Sequence, residues 1–178
     1  YFLYFIFYIL FFSLIASYPV FAISSYYGKL DKTPVLDGSG WVNALYPEYK
    51  EIIAYLNTSV KGQPTILEAQ GDSYTTYDVV SSYTGLPTVA GWWVHEWLWR
   101  GSSDAVGALI PDIENIYQSN DESLTLALIH KYKIQYIIIG SNEREKYKTL
   151  NEEKFDRIAQ RVFTTKEGKG KIYKIKIL

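Results

Sequence analysis

The stretch IQYIIIG, residues 134–140, decides the fold because it is apolar, rich in β-branched side chains and closed by a glycine. Two other short apolar runs precede it along the chain, TILEA at residues 65–69 and GLPTVAGWW at residues 85–93. Apolar runs of this length, bounded by turn residues, are typical of strands that are buried on both faces. The sequence therefore predicts three buried strands at these positions.

Helical patterns lie around these runs. One helix is predicted to begin at Pro47 and end near Lys61, and a later one lies near residues 143–150. Helices at residues 104–117 and 122–132 separate the second and third runs, which is the spacing of parallel strands joined by helical crossovers. The tail alternates apolar and polar residues around a glycine-bearing turn, which favours an antiparallel hairpin.

The first 25 residues contain no charge. The stretch YFLYFIFYILFFSLIASYPVFAI, residues 1–23, is long enough as a helix to cross a hydrocarbon layer of roughly 30 Å. We predict a membrane helix whose regular part ends at Pro19. A cleaved signal peptide is the alternative, but the basic segment that begins such peptides is missing here.

These patterns together predict an α/β fold with a small, mostly parallel sheet, flanking helices and a C-terminal antiparallel hairpin, preceded by one transmembrane helix. The expected organisation is a transmembrane helix at 1–25, a connector at 26–45 and a soluble α/β domain at 46–178. Since the chain starts with Tyr1 and contains neither Met nor Cys, we expect a fragment of a larger membrane protein.

Composition limits the partners. Lys and Arg total 18 against 19 Asp and Glu, and they are scattered, so no basic field indicates nucleic acid as a partner. The absence of Cys excludes a thiol nucleophile and thiolate metal sites. Membrane lipid is the expected partner, and no particular cofactor is indicated.

Polar residues follow each predicted strand. In open sheets with parallel strands, ligands bind beyond the carboxyl ends, so neighbouring strands would bring these residues to one rim. The candidates for substrate binding are Glu68 and Asp72 after the first strand, His95, Glu96, Trp99 and Arg100 after the second, and Glu143 and Arg144 after the third.

The middle group is the densest because its ionisable side chains lie among four tryptophans. Flat apolar faces beside polar groups suit stacking on a sugar or on an isoprenoid-type lipid. His95 would act as base or ligand, Glu96 as acid, and Arg100 as a clamp for phosphate or carboxylate. In the alternative, Glu96 and Arg100 form an ion pair on a helix surface, while the tryptophans fill the core or seal the domain against the membrane.

Glu68 ends a buried strand, so its carboxylate needs a partner, either a side chain such as Arg100 or Arg144, or a ligand. Asp72, between Gly71 and Ser73, fits a turn better than a metal site, and no metal site is expected.

Three segments also carry a family resemblance. They are LDGSGWV at 36–42, ILEAQGDSYTTYDVVSSYTGLPTVAGWWVHEWLWRG at 66–101, and KYKIQYIIIGSNERE at 131–145. They resemble the C-terminal end of the YYY family of archaeal and bacterial multi-spanning membrane proteins. The most specific portion runs from Glu68 to Gly101, where EA-G-SY, S-TGLPT-GW-HE and WRG occur in order.

That family is in turn similar to the GT-C superfamily of glycosyltransferases, which use polyprenyl-phosphate sugars. The resemblance implies a membrane protein whose soluble domain lies outside the cytoplasm. It also implies that the catalytic acidic residue belongs to an early extracytoplasmic loop that this fragment lacks, so the fragment by itself would be inactive.

Three hypotheses follow. In the first, the domain assists a membrane glycosyltransferase-like protein by binding a lipid-linked sugar donor or acceptor. In the second, it is a non-enzymatic membrane or envelope domain for docking or structural support. In the third, Glu68, Asp72 and His95 form a metal-assisted hydrolase.

Overall fold

A computed structural model describes residues 1–27 and 37–176. The chain divides into two compact units, Tyr1–Gly38 and Ser39–Leu178. Most of the predicted connector, residues 28–36, lies outside the described residues, and the domain boundaries expected from the sequence stay predictions.

The first unit contains one helix, α1, at Phe2–Tyr27. By length and composition, its segment Phe2–Tyr26 is sufficient to cross a membrane. The expectation that Pro19 ends the regular helix is wrong, because α1 continues through it. A proline inside a helix removes one N–H donor, which bends or weakens the helix without always ending it.

The second unit contains short helices around a four-stranded sheet. Its elements are α2 (Gly40–Leu45), α3 (Pro47–Ser59), β1 (Thr65–Leu67), α4 (Val79–Thr84), α5 (Trp93–Arg100), α6 (Asp104–Gly107), α7 (Ile110–Gln118), α8 (Glu122–Lys131), β2 (Ile134–Ile139), α9 (Ser141–Lys146), α10 (Glu152–Ile158), β3 (Ala159–Thr164) and β4 (Lys171–Ile175).

The strand order is β1-β2-β4-β3. β1 and β2 are parallel, whereas β4 pairs antiparallel with both β2 and β3. The predicted mixed α/β fold, with flanking helices and a C-terminal hairpin, is confirmed. The parallel character is confined to the β1–β2 pair and one isolated bridge between Ile66 and Thr88, so the sheet is only partly parallel.

The run at residues 85–93 forms no full strand. Its contribution to the sheet is the bridge at Thr88, where the carbonyl of Pro87 accepts a hydrogen bond of 2.8 Å from the Ile66 amide. Proline cannot donate to a strand ladder, and α5 begins at Trp93, so pairing stops early.

The predicted helices differ mainly at their ends. α3 begins at Pro47 as expected, and α8 lies where a helix was predicted. The helix expected at 104–117 is divided into α6 and α7, with Pro111 in the first turn of α7, where a proline is tolerated. Three short helices, α2, α4 and α10, are not predicted by the sequence patterns, and α5 is anticipated only by the alternative interpretation in which Glu96 and Arg100 pair on a helix.

The sheet is covered on both faces, which explains why β2 is apolar almost throughout. On one face, Ile137 and Ile139 pack in a cluster with residues of α7, α8 and α10. On the other, Tyr136 and Ile138 pack with residues of α3 and α4. Successive side chains of a strand point to opposite faces, so one strand contributes to both halves of the core.

The buried carboxylate of Glu143 joins the segments that follow the parallel strands β1 and β2. The side chain of Glu143, in α9, accepts hydrogen bonds from the Ala69 amide (2.7 Å), the Gly140 amide (2.6 Å) and the Tyr49 hydroxyl (2.8 Å). The Tyr49 hydroxyl also accepts a bond from the Asn142 amide at 2.9 Å. The segments after β1 and β2 are thereby fixed to each other and to α3.

We expect Tyr49→Phe to destabilise the second unit by about 1–3 kcal/mol, because the variant leaves the buried Asn142 amide unpaired and removes one donor from Glu143. Urea unfolding of the full chain in detergent, followed by circular dichroism, measures this change. Tyr74→Phe is the matched control, since Tyr74 is 86% exposed, and it should change stability by less than about 0.5 kcal/mol. Equal stability of the two variants would contradict the role given to Glu143.

Candidate functional site

A cleft of about 290 Å³ opens beyond the carboxyl ends of β1 and β2. This is the position at which ligands bind in sheets with parallel strands, and it makes the cleft the candidate site. Its lining combines aromatic and polar side chains: Gln70, Gly71, Asp72, Tyr77, Trp93, Ile110 and Lys146.

The cleft is built from segments that are distant in the sequence. Residues 70–72 continue the chain beyond β1, and Lys146 is the last residue of α9, which follows β2 directly. Trp93 begins α5. Because β1 and β2 are parallel neighbours, their following segments meet at the same edge of the sheet.

Gly71 allows two aromatic side chains to form a wall of the cleft. A Cβ atom at this position would lie 2.0 Å from Cδ2 of Tyr77, so no other residue fits without displacing that ring. The carbonyl of Gly71 also accepts a hydrogen bond of 3.2 Å from the Trp93 amide. Tyr77 and Trp93 are thus both held beside the turn that follows β1.

Lys146 supplies the cationic group of the cleft. Its half-buried ammonium donates to the backbone carbonyl of Gln70 and, at 3.2 Å, to that residue's side-chain oxygen. The nitrogen lies 5.1 Å from the centroid of the Tyr77 ring. Burial lowers the pKa of Lys146, while the charges of Asp78, Glu114 and Asp72 oppose this effect.

Glu68 and Asp78 are two buried carboxyl groups that lie close enough to influence each other electrostatically. Glu68 accepts hydrogen bonds of 2.8 Å from the amides of Val80 and Ser81, in the first turn of α4. Burial raises the pKa of Glu68 to about 7, although these hydrogen bonds act in the opposite direction. This carboxylate therefore stabilises the beginning of α4.

Asp78 precedes α4 with φ of +59°, and its side chain is buried. Within the described part of the chain, neither of its carboxyl oxygens has a hydrogen bond of standard geometry. Burial and then the charge of Glu68 raise the pKa of Asp78 to about 9, against the smaller effects of Lys146 and the Gly71 amide. Folding therefore favours the protonated form of Asp78.

The arginines suggested as partners of Glu68 bind elsewhere, and that suggestion is wrong. Arg144 forms an ion pair with Glu152, with its Nε atom 2.6 Å from Oε1, and Glu152 also binds Lys171 at 2.7 Å. The first turn of α4 offers two amide donors at the end of β1, so a backbone partner replaces the arginine.

The middle group of predicted residues belongs to α5. The Nε atom of Arg100 donates to Glu96 at 2.7 Å, four residues earlier, and Glu96 also accepts from the Gly91 amide at 2.8 Å. His95 places Nδ1 2.6 Å from the hydroxyl of Ser73. The structure thus contains the helix ion pair described by the alternative interpretation.

Of the eight predicted substrate-binding residues, Asp72 lines the cleft. Glu68 and Glu143 are buried behind the strand ends, and Trp99 is 87% exposed on α5. Lys146 and Tyr77 are absent from the sequence prediction. The helix after β2 is predicted near residues 143–150, whereas α9 ends at Lys146. A helix of this length leaves Lys146 at the edge of the sheet where β1 and β2 end.

The metal-assisted hypothesis gains no support from the geometry. Among residues 1–27 and 37–176, no group of three His, Asp or Glu side chains could hold a metal ion. Glu68 is engaged with α4 and His95 with Ser73. The third residue of that hypothesis, Asp72, lies in the cleft.

Asp78→Asn should reduce the pH dependence of stability. Asp78 has a pKa of about 9 in the folded protein, against an ordinary value of 3.8, so the folded state holds more protons between these values. Its contribution to stability is complete below the lower value and is lost as pH rises through about 9. The variant removes this titration, and asparagine tolerates the positive φ.

Urea unfolding in detergent at about pH 5 and pH 9 provides the measurement. The native protein should lose roughly 2 kcal/mol or more relative to the variant over this range. Equal losses in both proteins would show that folding does not raise the pKa of Asp78.

No family model and no curated protein matches the sequence, so membership of the YYY family stays a prediction. The structure is similar to the crystal structure of the C-terminal globular domain of an oligosaccharyltransferase from Archaeoglobus fulgidus. The TM-score is 0.45 and the identity 11%, over 72% of this chain and 97% of that chain. A likeness at this level does not define the function of the chain.

Proposed function

We propose that the second unit is the extracytoplasmic domain of a membrane glycosyltransferase-like protein, and that its cleft binds the sugar part of a lipid-linked donor or acceptor. The observation that carries this proposal is the composition of the cleft, which is lined by two aromatic and three polar side chains. The second candidate from the sequence, a domain for docking or structural support, is favoured by the exposed tryptophan of α5.

The lining suits the chemistry of a sugar ring. A sugar has apolar C–H faces, which stack on aromatic rings such as Tyr77 and Trp93, and a rim of hydroxyl groups that donate and accept hydrogen bonds. Lys146 donates and Asp72 accepts, while the side chain of Gln70 is paired with the Gly71 carbonyl at 3.1 Å and with Lys146 at 3.2 Å. A mixture of this kind binds hydroxyl groups better than an exclusively basic site, which would favour a free phosphate.

The size of the cleft supports a small ligand. Its volume of about 290 Å³ lies at the lower end of the range for small-molecule sites. The sugar would enter the cleft, while an attached lipid would remain outside. α1 supports a lipid-linked ligand, because a helix that can cross a membrane would keep the protein where such ligands occur.

The buried carboxylates support a binding role over acid–base chemistry by this domain. Glu143 is saturated by three internal donors, and Glu68 is occupied by the first turn of α4. A general acid or base must reach the proton that it transfers, and neither group lines the cleft. The extracytoplasmic location rests on the sequence resemblance to the YYY family and the GT-C superfamily.

We expect Lys146→Met to weaken sugar binding at least about tenfold, because it removes a half-buried donor from the cleft and keeps a side chain of similar length. Tryptophan fluorescence of the full chain in detergent, titrated with methyl glycosides and monosaccharide 1-phosphates, measures the affinity. Lys131→Met is the matched control, since Lys131 pairs with Asp112 outside the cleft lining, and its affinity should equal that of the native protein.

Two outcomes would contradict the proposal. One is failure of the native protein to bind any sugar of the panel. The other is loss of binding in His95→Ala combined with full binding in Lys146→Met, which would move the site from the cleft to α5.

A further inference from the structure

The outer face of α5 is apolar and exposed. With 3.6 residues per turn, His95, Leu98 and Trp99 lie on one side of the helix, and the rings of Tyr74 and Trp92 lie 5.1 and 5.4 Å from His95. These five residues are called the α5 face. Tyr74 is 86%, Leu98 68% and Trp99 87% exposed.

Three such side chains expose on the order of 300 Å² of largely apolar surface, which is the scale of the largest apolar patch on a typical monomer, and such patches are often functional. The cleft is separate from this face, because Trp93, which lines the cleft, lies on the opposite side of α5. The α5 face therefore requires its own explanation.

Two polar groups at the α5 face are paired inside the domain. The indole N–H of Trp92 donates to the Tyr77 carbonyl at 2.9 Å, and His95 binds the Ser73 hydroxyl. Glu96 and Arg100 neutralise each other beside it. What the face offers to an occupant is an apolar, aromatic surface with no unbalanced charge from α5.

We propose that the α5 face rests in the interfacial region of a lipid bilayer. Tryptophan and tyrosine are enriched at that depth, where the ring lies among apolar groups and its polar atom remains hydrated. Leu98, between them, would enter the acyl region. A bilayer is the expected occupant because α1, in the same chain, is uncharged and long enough to cross one.

The length of the chain supports this occupant. Residues 28–38 connect α1 to the second unit, and even a fully extended segment of that length reaches no more than roughly 40 Å. A membrane that contains α1 is therefore always within reach of the second unit. Because the face has no unbalanced charge, its contact with lipid should be apolar and insensitive to salt.

Site-directed labelling tests the proposal directly, because the chain contains no cysteine. A nitroxide is attached to Leu98→Cys in the full chain, reconstituted in neutral phosphatidylcholine vesicles. Leu124→Cys is the control, since Leu124 is another exposed leucine, located on α8. Power-saturation electron paramagnetic resonance then compares the access of oxygen, which enters lipid, with that of a water-soluble nickel chelate.

We expect the ratio of oxygen to nickel access at position 98 to exceed that at position 124 at least about fivefold, as for a residue below the lipid headgroups. The ratio should not change between low salt and about 0.5 M salt. Adding Trp99→Ser to the Leu98→Cys protein should lower it by at least about half.

Equal access at positions 98 and 124 would overturn the proposal, as would a ratio that falls to the control value in high salt. Shielding of position 98 only after another protein is added would also overturn it and indicate a protein partner. Sugar binding by the cleft is measured separately, so the two proposals can fail independently. Circular dichroism of each labelled variant verifies that the fold is kept.

Discussion

The geometry of the candidate site depends on one buried carboxylate. Glu143 is removed from water, and a charge in that position is tolerated only when hydrogen bonds replace its hydration. Its donors come from three places, the amide after β1, the amide after β2 and the hydroxyl of Tyr49 in α3. A shift of any one element would leave the carboxylate or a donor unpaired, so the positions of all three are linked.

The cleft follows from that constraint through α9. Glu143 and Lys146 are three residues apart and therefore lie on the same side of this short helix. Glu143 binds the amide of Ala69, and Lys146 binds the carbonyl of the next residue, Gln70. One turn of helix thus holds two successive residues beyond β1, and Gly71 then admits the ring of Tyr77. The wall of the cleft therefore follows from the hydrogen bonds between α9 and the residues directly after β1.

The sequence predicts the strands better than it predicts the site. The pattern at 134–140 identifies β2 because burial on both faces requires continuous apolar residues, and a chemical pattern of that kind is visible without coordinates. The partners of Glu68 and Glu143 are not visible, since the donors are backbone amides whose positions depend on the fold. The sequence singles out the acidic residues at the strand ends as candidates for substrate binding, whereas their hydrogen bonds in the structure join backbone segments of the domain.

α5 connects the two proposed surfaces, because residues on its opposite sides belong to each. Trp93 faces the cleft, whereas Trp99 is directed outwards. A lipid-linked sugar has a polar head that needs hydrogen-bonding groups and a tail that must remain in the bilayer. A sugar site is useful to such a ligand only if it lies close to the membrane surface. A single helix with one aromatic side toward the proposed sugar site and the other toward the proposed lipid contact would satisfy both requirements. The two surfaces would then be separated by the diameter of a helix, about 10–12 Å.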